Sequence, residues 1–136
     1  MPIIDGWEQR IEAVLGDDNE LCTRNSQRWR QHLLKNLTLP LLAIGIEEFP
    51  WEEPYVFGAW DAGEYEELKK TNPSYTDEFD LIDIGEPGES DDLIAKVRRV
   101  SDKRMFDIGL SWLMTTLEEG PAYTVMSDYA VWHCNF

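Results

Sequence analysis

The side chains best suited to chemistry in this sequence are carboxylates, and they are crowded into its middle third. Residues 47–92 contain 16 Asp and Glu but only two basic residues, Lys69 and Lys70. Residues 1–46 carry a net charge of -1 and residues 93–136 carry none, so this segment supplies nearly all of the net charge of -15. Because crowded carboxylates repel one another, a bound divalent cation would stabilise such a segment.

The acids of the middle third fall into four groups, and calcium is the cation they suit best. Calcium takes 6–8 oxygen ligands from carboxylates, carbonyls and water. The four groups are Glu47, Glu48, Glu52 and Glu53; Asp61, Glu64, Glu66 and Glu67; Asp77, Glu78, Asp80 and Asp83; and Glu86, Glu89, Asp91 and Asp92. By acidity and loop context, the predicted metal ligands are Asp77, Glu78, Asp80, Asp83, Glu86, Glu89, Asp91, Asp92, Asp61 and Glu64.

The EF-hand template does not account for these acids. With Asp80 at the first position, Gly85 falls at the turn position and Asp91 at the last. The third and fifth positions are then Ile82 and Ile84, which cannot bind a metal. No other starting residue fits better, so we predict looser sites with dissociation constants of about 10⁻⁵ to 10⁻³ M.

Other chemistry has little support in this sequence, and we expect no enzyme. A nucleophile needs a nearby base, and the only histidines are His32 and His133. His133 adjoins Cys134, but we predict a terminal strand there, in which neighbouring side chains point to opposite faces. No GxSxG, HExxH, GxGxxG or P-loop motif occurs. Carboxylate pairs suit glycoside hydrolysis, yet among so many acids such pairs arise by chance.

Composition predicts one cytoplasmic domain over residues 1–136, with a helical part at 1–40 and a mainly β part at 41–136. The hydrophobic fraction of 43% is sufficient for a core. The start of the chain lacks the basic region of a signal peptide, and no apolar run is long enough to span a membrane. The net charge disfavours nucleic acid and anionic membranes as partners. We expect a monomer, with Cys22 and Cys134 as free thiols.

Two amphipathic helices are predicted at the start of the chain. Apolar residues recur at helical spacing in residues 5–15, and Gly16 follows as a stop signal. Residues 24–37 repeat the pattern with most of their basic side chains on the opposite face. Pro40 prevents this second helix from continuing.

The remainder is predicted to be mostly short strands, which makes the fold class α+β. We expect the two N-terminal helices to be followed by a small antiparallel, SH3-like curled barrel or sheet. Residues 64–70 are predicted to be helical, 85–92 to be a loop, and 110–117 fit either helix or strand. The predicted strands are 41–46, 55–57, 79–84, 93–100, 104–109, 123–127 and 128–136.

Two tryptophans lie within the acidic segment. Trp51 and Trp60 occur in the segment FPWEEPYVFGAW, which also contains Pro and Gly residues. We predict that they pack in the core or over strand edges and do not form a ligand box.

Five longer segments of the chain carry a family resemblance. They are WRQHLLKNLTLP (29–40), FPWEEPYVFG (49–58), EYEELKKTNPSYTDEFDL (64–81), VRRVSDK (97–103) and SDYAVWHCNF (127–136). These segments resemble the CcbP family, a group of small acidic calcium-binding proteins first associated with cyanobacteria. The resemblance spans residues 29–136 and implies calcium binding by surface acidic residues, with a role as a calcium buffer or sensor. It specifies no individual ligands.

An alternative function uses the same acidic surface. Spread-out carboxylates can dock a basic protein, as in immunity proteins and nucleic-acid mimics. Calcium binding needs carboxylates that converge to about 2.3–2.6 Å from one point, whereas a docking surface needs them dispersed. A solvated acidic face without any specific ligand has the same composition.

Overall fold

The computed structural model describes residues 4–58, 61–117 and 119–136. Trp60, predicted to pack in the core or over a strand edge, lies outside these residues. The five strands are β1 (Leu41–Gly45), β2 (Glu78–Pro87), β3 (Leu93–Arg99), β4 (Met105–Gly109) and β5 (Leu113–Thr115). The helices are α1 (Trp7–Leu15), α2 (Thr23–Asn36), α3 (Glu53–Phe57), α4 (Ala62–Leu68) and α5 (Pro121–Asn135). Single 3₁₀ turns form at Pro50–Glu52, Glu89–Asp91 and Leu110–Trp112.

The strands form one antiparallel sheet in the order β4-β3-β2-β1-β5. In β3, buried and part-buried residues alternate strictly, which directs Leu93, Ala95 and Val97 into the core. This period of two arises because successive side chains of a strand point to opposite faces. The predicted α+β class is confirmed.

A short connection forces this sheet to curl. Only Leu110–Trp112 separates β4 from β5, although these strands lie at opposite ends of the strand order. Four Cα–Cα steps span at most about 15 Å, whereas four interstrand spacings in a flat sheet span about 19 Å. The two edges therefore approach one another at this link. The Ile46 N–H bonds to the Trp112 carbonyl at 2.9 Å, which extends the pairing of β1 with β5 into the link. The sheet stays open, and its SH3-like outline stays a prediction.

Helices α1, α2 and α5 pack against one another, and α2 also covers β2. Residues 125–132 of α5 are all buried, so this helix lies in the interior. The largest fully buried aromatic side chains are Trp29 of α2, Tyr129 and Trp132 of α5, and Phe79 of β2. Trp51 packs against the edge of this core, and its indole N–H bonds to the Pro73 carbonyl at 2.6 Å. No helix among the described residues could cross a membrane.

Most of the predicted elements form, with small shifts at their ends. The helices predicted at 5–15, 24–37 and 64–70 correspond to α1, α2 and α4. The hairpin of β3 and β4 forms as predicted. Strand β2 continues through Pro87 into the segment predicted to be a loop, and the ambiguous 110–117 segment becomes a 3₁₀ turn followed by β5.

Three strand predictions are wrong. The strands predicted at 123–127 and 128–136 lie instead in or directly after α5. A helix buried on all sides shows no polar face, so its period of 3.6 is invisible in the sequence. Residues 55–57 belong to α3, where Pro54 lies in the first turn. Proline is well suited to that position because its fixed φ matches the helix.

Candidate metal site

Two of the predicted metal ligands are already bound by arginine. Asp77 lies 3.2 Å from Arg99, and Asp80 lies 3.2 Å from Arg98. Arg99 is only 3% exposed, and it also binds Asp102 and three backbone carbonyls of residues 69–72. The Arg99 guanidinium holds the pKa of the Asp102 carboxyl low, at about 2. These acids are neutralised by the protein itself.

Four more predicted ligands lie on two separate elements, two at the start of α4 and two on β2. Asp61 precedes α4, and its carboxylate accepts the Gly63 N–H at 2.8 Å, which is the usual role of an N-cap residue. Glu64 follows in the first turn of that helix. Glu78 and Asp83 are exposed on β2.

Glu86 and Asp91 are held against helix α2. The Thr23 hydroxyl donates to the Asp91 carboxylate at 2.6 Å. The Glu86 carboxylate accepts a hydrogen bond from the Gln27 amide and lies 3.7 Å from Arg30. Both acids therefore fasten the turn between β2 and β3 to the helical layer.

The last two predicted ligands, Glu89 and Asp92, share a cleft of ≈ 710 Å³, which we name the acidic cleft. Its polar lining includes Glu47, Glu89, Ser90, Asp92 and Ser111, with His133 and Cys134 from the end of α5. Trp112 forms part of its apolar wall. Among its described lining residues there is no Lys or Arg, so the negative charge of three carboxylates is uncompensated.

Asp92 is the fixed centre of the acidic cleft. It is 6% exposed, and its carboxylate accepts hydrogen bonds from the Ser111 hydroxyl at 2.7 Å and the Tyr129 hydroxyl at 2.6 Å. The Ser111 N–H adds a longer bond of 3.2 Å. A buried carboxylate needs such donors because removing its charge from water is unfavourable.

The backbone of the turn before Asp92 is bent unusually. Ser90 has a φ of 59° and Asp91 has a φ of 58°, although neither is glycine. Such conformations cost about 1–3 kcal/mol each and persist only where surrounding contacts hold them. The Ser26 hydroxyl binds the Asp91 carbonyl at 2.5 Å, and His133 Nε2 donates to the Ser90 carbonyl at 3.0 Å.

Gly109 lets the backbone approach the Asp92 carboxylate closely. A Cβ atom at this position would lie 2.4 Å from Asp92 Oδ2 and 3.2 Å from a ring carbon of Trp112. Any larger residue would displace the carboxylate, so the geometry of the acidic cleft requires glycine here.

The donor atoms of the acidic cleft are mainly hard oxygens. Partial desolvation of the otherwise exposed Cys134 thiol raises its pKa, and the nearby charges of Asp92 and Glu47 raise it further. A protonated thiol is a poor metal ligand. Three carboxylates, the Ser111 hydroxyl and the Ser90 carbonyl form a donor set that fits calcium by chemistry.

These donors are gathered in one cleft but do not converge on one point. Among residues 4–58, 61–117 and 119–136, no three Asp, Glu, His or Cys side chains lie close enough together to hold a metal. Glu47 and Glu89 are exposed, while Asp92 is fixed. Ligation therefore requires the two exposed glutamates to turn towards Asp92.

Sequence reasoning overlooked three residues around this carboxylate. Glu47 was placed in an acidic group but not chosen as a ligand, while Ser111 and Tyr129 were not considered. Ser111 and Tyr129 bind Asp92 across separations of 19 and 37 residues in the chain. The strand predicted for His133 and Cys134 was also wrong here, because both residues line the acidic cleft from α5.

Comparison with known proteins supports the fold. No known family model and no curated protein matches the sequence. The crystal structure of Anabaena CcbP superimposes with a TM-score of 0.60 at 12% identity, covering 97% of this chain and 92% of that one. A calcium-binding protein in its calcium-binding form gives a TM-score of 0.61 at 14% identity, with coverages of 96% and 91%. The resemblance to CcbP found in the sequence is confirmed as a likeness of fold.

Proposed function

We propose that this chain binds calcium ions at the acidic cleft and acts as a non-catalytic calcium buffer or sensor. The observation that carries the proposal is the uncompensated charge of Glu47, Glu89 and Asp92 around one cleft. The likeness of fold to two structures described as CcbP and as a calcium-binding protein supports the choice of calcium.

Asp92 would be the anchoring ligand, because its position is already fixed by Ser111 and Tyr129. Glu47 and Glu89 would join it by side-chain rotation, which is fast for exposed residues. The Ser111 hydroxyl and the Ser90 carbonyl offer neutral oxygens, and water would complete the coordination. Since two ligands must be recruited, we expect an affinity in the weaker range of calcium proteins, with dissociation constants of about 10⁻⁵ to 10⁻³ M.

Terbium luminescence can test both the cation and the place. Tb³⁺ replaces Ca²⁺ at oxygen sites and emits when a neighbouring tryptophan is excited. Trp112 lines the acidic cleft, so W112F should lose most of the sensitised emission. Trp51 lies in the acidic segment but not in the lining, so W51F is the matched control and should keep the emission. Added calcium should displace terbium and quench the wild-type signal.

Calorimetry then tests calcium itself. Titration at low ionic strength avoids screening of the carboxylates. Calcium should raise the melting temperature, and magnesium should do so less because it gives up its water reluctantly. A wild-type protein that shows neither binding heat nor thermal stabilisation with millimolar calcium would refute the proposed function. Emission that depends on Trp51 and not on Trp112 would place the site elsewhere in the acidic segment.

A further inference from the structure

Tyr129 links the acidic cleft to the helical layer. Its side chain is buried, with 1% of the residue exposed. The hydroxyl oxygen accepts the Leu93 N–H at 2.8 Å, and the hydroxyl proton is donated to Asp92 Oδ1 at 2.6 Å. Because one partner can only donate and the carboxylate only accepts, the direction of both hydrogen bonds is fixed.

The ring of Tyr129 contacts three other aromatic side chains. It lies 5.7 Å from Trp29 of α2 with an angle of 71° between the planes, and 5.9 Å from Trp132. His133 stacks on it at 6.2 Å. Trp29 and Trp132 are themselves in contact at 6.0 Å. A shift of the Tyr129 ring would therefore displace the aromatic side chains between α2 and α5, because protein interiors are packed too densely to leave room for it.

We infer that Tyr129 is a positioning residue for the cation site, and that it transmits occupancy of the acidic cleft to the aromatic contacts between α2 and α5. This inference rests on the proposed function. A cation bound to Asp92 withdraws negative charge from the carboxylate, and the charge-assisted bond from Tyr129 weakens. The bond from Leu93 N–H does not depend on that charge, so the hydroxyl and its ring settle towards β3. This coupling favours a sensor over a passive buffer.

The molecule contains a matched control for this contact. The Tyr65 hydroxyl donates to the buried carboxylate of Glu52 at 2.8 Å, but neither residue lines the acidic cleft. Replacement of either tyrosine by phenylalanine removes one hydroxyl donor from a buried carboxylate. Only Y129F should alter cation binding.

The experiment compares wild type, Y129F, Y65F and S111A in calcium calorimetry and in near-ultraviolet circular dichroism. Loss of an outer partner of a metal ligand typically weakens binding by about 10–100-fold, and we expect about tenfold for Y129F. Y129F should also lose the calcium-induced change in aromatic dichroism. S111A should bind more weakly but keep that change, and Y65F should keep both. Melting curves without calcium identify any loss of fold.

A second measurement needs no variant and protects the test if Y129F is unstable. In NMR spectra of the wild type, calcium should shift the ring resonances of Tyr129 and the indole resonance of Trp132, but not the ring of Tyr65. The inference would be overturned if Y129F bound calcium as tightly as the wild type and showed the same change in dichroism. It would also be overturned if the Tyr129 resonances of the wild type did not shift on saturation with calcium. Absence of calcium binding by the wild type would instead refute the proposed function.

Discussion

Two buried carboxylates of this protein accept hydrogen bonds from the same kinds of donor but lie in different surroundings. Glu52 and Asp92 each accept hydrogen bonds from a tyrosine hydroxyl, a serine hydroxyl and backbone N–H groups. Neither has an ion pair among the described residues. Nothing in the type of donor distinguishes the two acids.

The two carboxylates differ in whether they face an open cleft. Glu52 is completely enclosed and binds the N–H groups of Phe49 and Tyr75, so it fastens the turn before α3 to the segment before β2. Asp92 reaches the wall of a cleft that also contains Glu47 and Glu89. In both cases the hydrogen bonds show only how a buried charge is tolerated. An open side with further uncompensated carboxylates is what indicates a cation site.

The largest effect should follow the loss of the enclosed acid. Glu52→Ala removes the acceptor of two backbone N–H groups and two hydroxyls, of which the Ser74 hydroxyl keeps a contact with Thr76 and the Tyr75 N–H is only part-buried. Each unsatisfied buried donor costs about 1–3 kcal/mol, and we expect a total loss of about 3–4 kcal/mol in the free energy of unfolding. Urea denaturation measures this loss, and calcium affinity of the folded fraction should be unchanged. A loss of affinity as large as that of a cleft variant would contradict a purely structural role for Glu52.

Asp92→Asn should lower calcium affinity more than it lowers stability, which is the opposite of Glu52→Ala. The substitution removes the anchoring charge of the acidic cleft while leaving an oxygen that accepts hydrogen bonds. Calcium affinity should fall at least about tenfold, equivalent to about 1.4 kcal/mol, measured by calorimetry. The free energy of unfolding without calcium should fall by less than in Glu52→Ala. Undiminished binding would show that Asp92 is a structural acid like Glu52.

Glu89→Gln tests an exposed carboxylate of the acidic cleft. Glu89 should bind calcium only after rotation, so its loss should weaken affinity by a factor of about three to ten. Stability without calcium should be unchanged or slightly higher, because one repulsive charge is removed. Glu67→Gln is the control, since Glu67 is exposed on α4 and pairs with Lys70 outside the cleft. Equal effects of both variants would indicate only general attraction of cations.

The smallest effect concerns alkaline pH. Burial, together with the bond to Glu52, raises the pKa of Tyr65 to about 12, from an ordinary value of 10. The folded protein keeps this proton longer than the unfolded chain, so its stabilising contribution is complete below pH 10 and declines as pH rises towards 12. Y65F should lose part of that decline in the free energy of unfolding between pH 10 and 12. Parallel curves for the two proteins would contradict the assignment.

The sequence predicted those elements whose local pattern of polar and apolar residues is clear. The amphipathic faces of α1 and α2, and the alternation of residues 79–84 within β2, are visible because one side of each element is more polar than the other. Helix α5 and the short α3 were missed for opposite reasons. The first is buried all round, and the second relies on Pro54 in its first turn while its aromatic residues favour strand.

The candidate site was less predictable than the fold. Acidity indicated residues 47–92, but it could not separate Asp77, which is neutralised by Arg99, from Asp92, which pairs with no Lys or Arg among the described residues. That difference is created by tertiary contacts between distant residues. Ser111 and Tyr129 carry no signal of their own in the sequence, because a hydroxyl becomes informative only when its partner is known.

The three-residue link between β4 and β5 gives the acidic cleft a particular dependence on folding. Ser111 lies on this link, so it reaches Asp92 only after the sheet has curled and both edges have come together. An EF-hand carries its ligands on one contiguous loop, whereas residues 47, 92 and 111 come from three parts of the chain. If the acidic cleft binds calcium as proposed, the unfolded polypeptide would have no such assembled site to compete for the ion. Most of the binding free energy would then add to the stability of the native state.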